Sequence, residues 1–261
     1  MDIRGANVVV TGAGSGIGRA MVRRFALEQP RLLVAVDVAA ERVAATARET
    51  GATAVTADVG HEDEILRIIA EAETAGGPVD LFCSNAGVAG PTAGPEASDE
   101  DWQRLWNINV MAHVWAARAL LPAMLARGEG YLFSTASAAG LLMSLGQMPY
   151  SVTKHAALSV AECLAAQYGN AGIRVSCLCP QIVDTPMFNR VSEDPIGKAL
   201  SESSSPMSPD DVAAVVLEGI REERFLILSH PEVATYALRR AMDHDRWLLG
   251  MRRLYARSFV D

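Results

Sequence analysis

The stretch Asn7-Val8-Val9-Val10-Thr11-Gly12-Ala13-Gly14-Ser15-Gly16-Ile17-Gly18 decides how this chain is read. A short β-branched run ends in four glycines, and an amphipathic run follows. Glycine permits a tight turn and lets backbone N–H groups approach an anion. The helix N-terminus behind such a turn favours negative charge, so a pyrophosphate fits against Gly12, Ser15, Gly16, Ile17 and Gly18. The spacing is G-x-x-x-G-x-G rather than the G-x-G-x-x-G dinucleotide fingerprint. No Lys-Ser or Lys-Thr pair follows, so a Walker loop is excluded. A purely structural turn is the competing reading.

Working outward, the same alternation repeats. Asn7–Thr11, Leu32–Asp37, Thr53–Ala57, Val79–Ser84, Gly130–Thr135 and Ile173–Leu178 are short, apolar and rich in Val, Ile and Leu. Strands buried on both faces have that composition. Helical spacing fills 17–28, 41–49, 61–75, 99–127 and 150–169. The pattern predicts an α/β fold: a doubly wound, Rossmann-type parallel sheet with helices on both faces. Residues 1–261 read as one domain without repeat or linker. Ser98-Asp99-Glu100-Asp101 is a helix start, with a capping hydroxyl and acids that suit the dipole. Pro122 predicts a kink in the long helix.

Residues 185–210 are rich in Ser, Pro and Met and weakly periodic. We expect a mobile segment beside the substrate there. Asp210–Glu222 reads as a helix and Phe225–Leu228 as a last strand. Residues 231–261 form a C-terminal helical extension, expected to pack against the body or a neighbouring subunit.

The chain has 261 residues, half of them hydrophobic, and a net charge of −8. An acidic chain lacks the footprint for nucleic acid, and no polybasic membrane patch accompanies it. The arginines between 239 and 257 read as a solvated or inter-subunit face. No signal peptide pattern is present, and no uninterrupted apolar run has membrane-span length. Cys83, Cys163, Cys177 and Cys179 form no C-x-x-C pair and read as reduced core residues of a cytoplasmic protein. The five histidines match no metal spacing, so no metal site is expected.

Asp37 ends the second strand. A carboxylate there can accept hydrogen bonds from adenosine ribose hydroxyls and would repel a 2′-phosphate. That argues for NAD over NADP, although a helix-capping role also fits Asp37. Asp58-Val59 after the third strand can hold the adenine edge, or Asp58 can simply cap the next helix.

Tyr150-Ser151-Val152-Thr153-Lys154 places a phenol and an ammonium one helical turn apart on one face. An ammonium there favours the phenolate and lowers the tyrosine pKa. A tyrosine so tuned accepts a proton from an alcohol or donates one to a carbonyl. Ser137, thirteen residues earlier, can bind the same oxygen.

With these residues in view, the chain resembles the short-chain dehydrogenase/reductase family over nearly its whole length. The matching elements are Thr11–Gly18, Asn85-Ala86-Gly87, Asn107-Ile108-Asn109-Val110, the trio Ser137, Tyr150 and Lys154, and Pro180-Gln181-Ile182-Val183-Asp184-Thr185. The resemblance implies that Tyr150 is the general acid/base and that Lys154 tunes it and binds the nicotinamide ribose. It implies that Ser137 orients the substrate oxygen and that Asn109 supports a water relay to Lys154. Pro180, Ile182 and Thr185 would flank the nicotinamide carboxamide, and Asn85 would stabilise the sheet beside the cofactor. A homotetramer or dimer is implied too, with the helices near 99–127 and 150–169 pairing.

Two positions depart from the family pattern. Ser84 replaces an Asn, and Gln181 replaces a Gly. Gln181 narrows the nicotinamide face, donates a hydrogen bond to a substrate, or points away. The segment Ala138–Pro149 is mostly apolar, which suits a hydrophobic ketone or secondary alcohol as well as ordinary packing. It holds no Arg or Lys, which disfavours an anionic substrate. The expected function is NAD-dependent interconversion of a secondary alcohol and a ketone. An isomerase, epimerase or dehydratase of the same fold, or a non-catalytic dinucleotide sensor, are the alternatives.

Overall fold

A computed structural model describes residues 1–191 and 206–259. Its strands are β1 (Asn7–Thr11), β2 (Leu32–Asp37), β3 (Thr53–Thr56), β4 (Leu81–Ser84), β5 (Gly130–Thr135), β6 (Ile173–Leu178) and β7 (Leu226–Ile227). All pair in parallel, in the order β3-β2-β1-β4-β5-β6-β7. The winding therefore reverses between β1 and β4. A sheet of this kind opens its ligand crevice at that switch point, beyond the carboxyl ends of the strands.

The helices are α1 (Gly16–Ala26), α2 (Ala40–Thr50), α3 (Glu62–Gly76), α4 (Asp99–Trp106), α5 (Ala112–Arg127) and α6 (Ala138–Leu141). After them come α7 (Met148–Tyr168), α8 (Pro186–Val191), α9 (Pro209–Arg221), α10 (Glu232–Met242) and α11 (His244–Phe259). The period-two alternation of a strand sends successive side chains to opposite faces. Val9 accordingly joins a core with Ile68 of α3, Leu120 of α5 and Ala161 of α7. Val8 and Val10 join the opposite core with Met21 and Phe25 of α1 and Val216 of α9. Two apolar layers on one sheet make the doubly wound architecture, as expected.

Some boundaries differ from expectation. Ala57, Val79, Phe225 and Leu228 lie just outside their strands. The segment 185–210 is not uniformly irregular, because α8 occupies Pro186–Val191 and α9 begins at Pro209. Ser208 accounts for that second start: its Oγ accepts the Asp211 N–H at 3.1 Å, a cap the composition disguised. Residues 192–205 of that segment lie outside the described residues. The long helix runs through Pro122 to Arg127, and its departure from α geometry is a π turn at Asn107–Met111. By length and composition Asp99–Arg127 is apolar enough to cross a membrane, but half of its apolar window is buried in the protein. All four cysteines are free.

Candidate active site

The glycine turn is shaped by close backbone approach. Gly12 has φ +68°, and a Cβ there would lie 2.8 Å from Ala86 Cα. A Cβ on Gly18 would lie 2.1 Å from Gly12 O, inside any allowed contact. Only glycine lets the turn fold back on itself and against Ala86.

Thr11 and Asn85 stitch the switch point together. Thr11 Oγ1 accepts the backbone N–H groups of Asn85 and Ala86, each at 3.0 Å. Asn85 Nδ2 donates to Thr11 O at 3.0 Å, and its Oδ1 accepts from Thr135 Oγ1 at 3.0 Å. One amide thus ties the carboxyl ends of β1 and β5 to the segment after β4.

Asp37 sits at the far end of this crevice. Its Oδ2 accepts the Gly14 N–H at 2.8 Å and its Oδ1 the Ala39 N–H at 2.9 Å. These bonds hold the carboxylate against the glycine turn. Asp58 Oδ1 accepts the Gly60 N–H at 2.9 Å. It closes a turn two residues long rather than capping α3, whose N-cap is His61.

The phenol and the ammonium converge as the spacing required. Both lie in the first turns of α7, with Lys154 Nζ 5.7 Å from the Tyr150 ring centroid. Lys154 is buried, and Nζ donates to Thr135 O at 3.0 Å. Loss of solvent pulls its pKa down to about 8. The expected lowering of the Tyr150 pKa does not follow from the protein alone. Burial pushes that phenol up, against a downward pull from a hydrogen bond with Ser137. Desolvation of a phenolate at the inner wall outweighs what the neighbouring dipoles return.

Ser137 stands two residues beyond β5 and caps the short helix α6, its Oγ accepting the Ala139 N–H at 3.1 Å. Asn109 is fully buried and reaches no cavity surface. Its side chain brackets Val88, accepting from Val88 N and donating to Val88 O, both at 2.9 Å. It also donates to Thr153 Oγ1 at 3.1 Å, and that hydroxyl donates to Tyr150 O at 2.9 Å. The π turn at Asn107–Met111 places it there, a local device frequent at functional sites. Gly87 leaves room between the partners: a Cβ would lie 3.2 Å from both Asn109 Oδ1 and Lys154 Nζ.

These parts surround one cavity of about 770 Å³. Gly12, Ser15, Gly16, Ile17 and Gly18 line it, with Asp37, Asp58 and Val59. Asn85, Ala86 and Gly87 line it as well, then Ser137, Tyr150 and Lys154, and finally Pro180, Ile182 and Thr185. Of the expected site residues, Asn109 alone lies behind the wall. Among the described residues no cluster of three or more His, Cys, Asp or Glu has the geometry to hold a metal.

The model of the short chain dehydrogenase family matches residues 6–196. The chain belongs to the short-chain dehydrogenase family. It is an oxidoreductase acting on hydroxyl or keto groups. It is 39% identical over 255 residues to 1-deoxy-11-beta-hydroxypentalenate dehydrogenase of Streptomyces exfoliatus, covering 95% of this chain and 90% of that one. It is 34% identical to galactitol 2-dehydrogenase (L-tagatose-forming) of Cereibacter sphaeroides, covering 82% and 87%. Among solved structures, a short-chain dehydrogenase/reductase from Burkholderia phymatum in complex with NAD superposes with a TM-score of 0.85 at 31% identity, covering 94% and 96%.

The wall of this dehydrogenase holds further residues beyond the expected site. Gln147 lines the cavity, and its buried Nε2 has no hydrogen-bond partner among the described residues. Gln181, the departure from the family pattern, also lies on the wall, and its Oε1 is buried without a hydrogen-bond partner among the described residues. The C-terminal helices supply Tyr236, Arg239, Trp247, Met251 and Leu254. Their helical spacing was visible, but not the surface they cover. Arg240, next to Arg239, is spent on structure. Its guanidinium lies 5.2 Å from the Trp247 ring and donates to Leu141 O. That bond pins α10 over α6, so the last two helices form a wall of the site.

Proposed function

We propose that the protein is an NAD-dependent dehydrogenase or ketoreductase interconverting a hydrophobic secondary alcohol and its ketone, with Tyr150 as general acid/base. The observation that carries this is a single crevice with a glycine cradle and Asp37 at one end and Ser137, Tyr150 and Lys154 at the other.

The cradle fits a dinucleotide. The collisions at Gly12 and Gly18 hold the turn tight against Ala86 directly before α1, whose N-terminus would meet a pyrophosphate. Asp37, held by Gly14 and Ala39, presents negative charge where a 2′-phosphate would lie, which supports NAD over NADP. Pro180, Ile182 and Thr185 would flank the nicotinamide. The bound dinucleotide supplies the hydride acceptor or donor.

The remaining steps belong to the chain. Ser137 Oγ accepts the Ala139 N–H at 3.1 Å and donates only a long hydrogen bond, 3.5 Å, to Pro180 O, which a substrate oxygen would displace. It can therefore donate to the substrate oxygen. Tyr150 takes the hydroxyl proton during oxidation and returns it during reduction. Lys154, with its pKa near 8, carries positive charge beside the phenol at neutral pH and can exchange protons there. Asn109 acts through Thr153 and Val88 as a positioning residue, because its amide is already committed to them.

The apolar helices α5 and α7 leave Leu125, Met148 and Val152 exposed. That supports association into a dimer or tetramer. The reading is tested by offering secondary alcohols with NAD and with NADP and following nicotinamide reduction. Turnover with NAD that is abolished by Tyr150→Phe supports it. Isomer formation without net reduction of NAD would favour an epimerase or isomerase instead.

A further inference from the structure

We infer that the natural substrate is an apolar secondary alcohol or ketone carrying a carboxylate away from the reacting carbon, and that Arg239 selects it. This rests on the dehydrogenase reading of the same crevice.

The charges that line the cavity divide by place. Asp37 and Asp58 stand at the dinucleotide end, and Lys154 is committed beneath Tyr150. The fourth charged lining residue is Arg239, brought in by α10. It makes no ion pair among the described residues. The same cavity takes apolar lining from Trp247, Met251 and Leu254 of α11 and from Leu142, Met143 and Phe188. A guanidinium facing a largely apolar chamber has a strong preference for a planar anion. It offers paired N–H donors that match a carboxylate bidentately.

A second feature asks for the same chemistry. Gln147 is a wall residue only 5% exposed, and its Nε2 is buried in the wall without a partner among the described residues, so a small turn of the side chain would bring it to an incoming acceptor. A buried donor left unmade costs free energy that an incoming acceptor oxygen returns. A carboxylate is the acceptor-rich group that also meets the single positive charge. The loop Ala138–Pro149, which alone disfavoured an anionic substrate, lacks the cation because α10 provides it.

The test uses the full-length protein and a panel of monocyclic and fused-ring secondary alcohols, each as free carboxylate, carboxamide and methyl ester. Wild type is expected to favour the carboxylate over its ester at least tenfold in kcat/KM. Arg239→Gln should erase that preference by raising KM for the acids far more than for the esters. Arg239→Lys should keep part of it. Equal turnover of acid and ester by wild type, or the same ratio in Arg239→Gln, overturns the inference. Ligand-induced thermal shifts with NAD present are measured in parallel. If acids bind and Arg239→Gln releases them, but no nicotinamide is reduced, the carboxylate site stands and the dehydrogenase reading falls. If acids bind no better than esters in wild type, the carboxylate site is overturned whatever the turnover.

Discussion

Lys154 Nζ donates to the carbonyl oxygen of Thr135 at 3.0 Å, tying the helix that carries Tyr150 to the carboxyl end of β5. The same ammonium lies 5.7 Å from the Tyr150 ring. One buried cation therefore has two duties, to place the phenol and to bias its proton.

Those duties separate in Lys154→Met. We expect kcat to fall by about 100-fold or more, the range lost with a positioned acid/base partner. Stability should change with the opposite sense at neutral pH. The folded pKa near 8 lies below the ordinary lysine value of 10.5. The folded protein therefore bears the full cost of a buried charge below about pH 8, and that cost fades as pH rises toward 10.5. The variant's stability relative to wild type should accordingly decline across that window. Thermal melts at pH 7 and pH 10 check this, and a relative stability that rises with pH would refute it.

His113 predicts acid lability. It is buried, Nδ1 lies 3.0 Å from Ser134 Oγ, and burial drives its pKa down from 6.5 to about 3. Its neutral form is the one the fold accepts. The stability it supports is complete above about pH 6.5 and is lost as pH falls toward 3, with a slope of up to about 1.4 kcal/mol per pH unit. Urea titrations at pH 7 and pH 5 should show this loss in wild type, and His113→Gln should reduce it.

Gly18→Ala should damage the cradle rather than the catalytic end. The added methyl would meet Gly12 O at 2.1 Å, so backbone must move. Overpacking of this kind costs about 1–3 kcal/mol. The expected result is a lower Tm together with dinucleotide affinity reduced at least tenfold, measured by titration calorimetry.

Asp37→Ser should relax the choice of dinucleotide. Removing the carboxylate removes the repulsion of a 2′-phosphate at the end of β2. The ratio of kcat/KM for NADP to that for NAD is expected to rise at least tenfold. An unchanged ratio would show that Asp37 serves only to hold Gly14 and Ala39.

Much of this architecture was legible from periodicity. β1 and β2 end where the apolar runs end, because a strand buried on both faces leaves little tolerance for polar residues. The glycines and the Tyr150–Lys154 spacing were legible for a similar reason, since backbone collision and helical pitch act over a few residues. Asn109 was recognisable by its motif, but its burial was not, because the π turn that draws it inward has no compositional mark. Tyr150 shows another limit. Its neighbours are in the sequence, yet its pKa direction depends on how much solvent the assembled wall removes.

The linear chain determined the parallel sheet, the glycine turn and the pairing of phenol with ammonium, each by interactions between near neighbours or by a repeating pattern. Tertiary structure decided what closes the site. Arg239, Trp247 and Gln147 reach the cavity from elements far apart in sequence. Their convergence depends on how α10 and α11 settle over α6, with Arg240 reaching Leu141 O. No local spacing encodes that docking, because it arises from contacts between surfaces that exist only after the sheet and its helices have assembled.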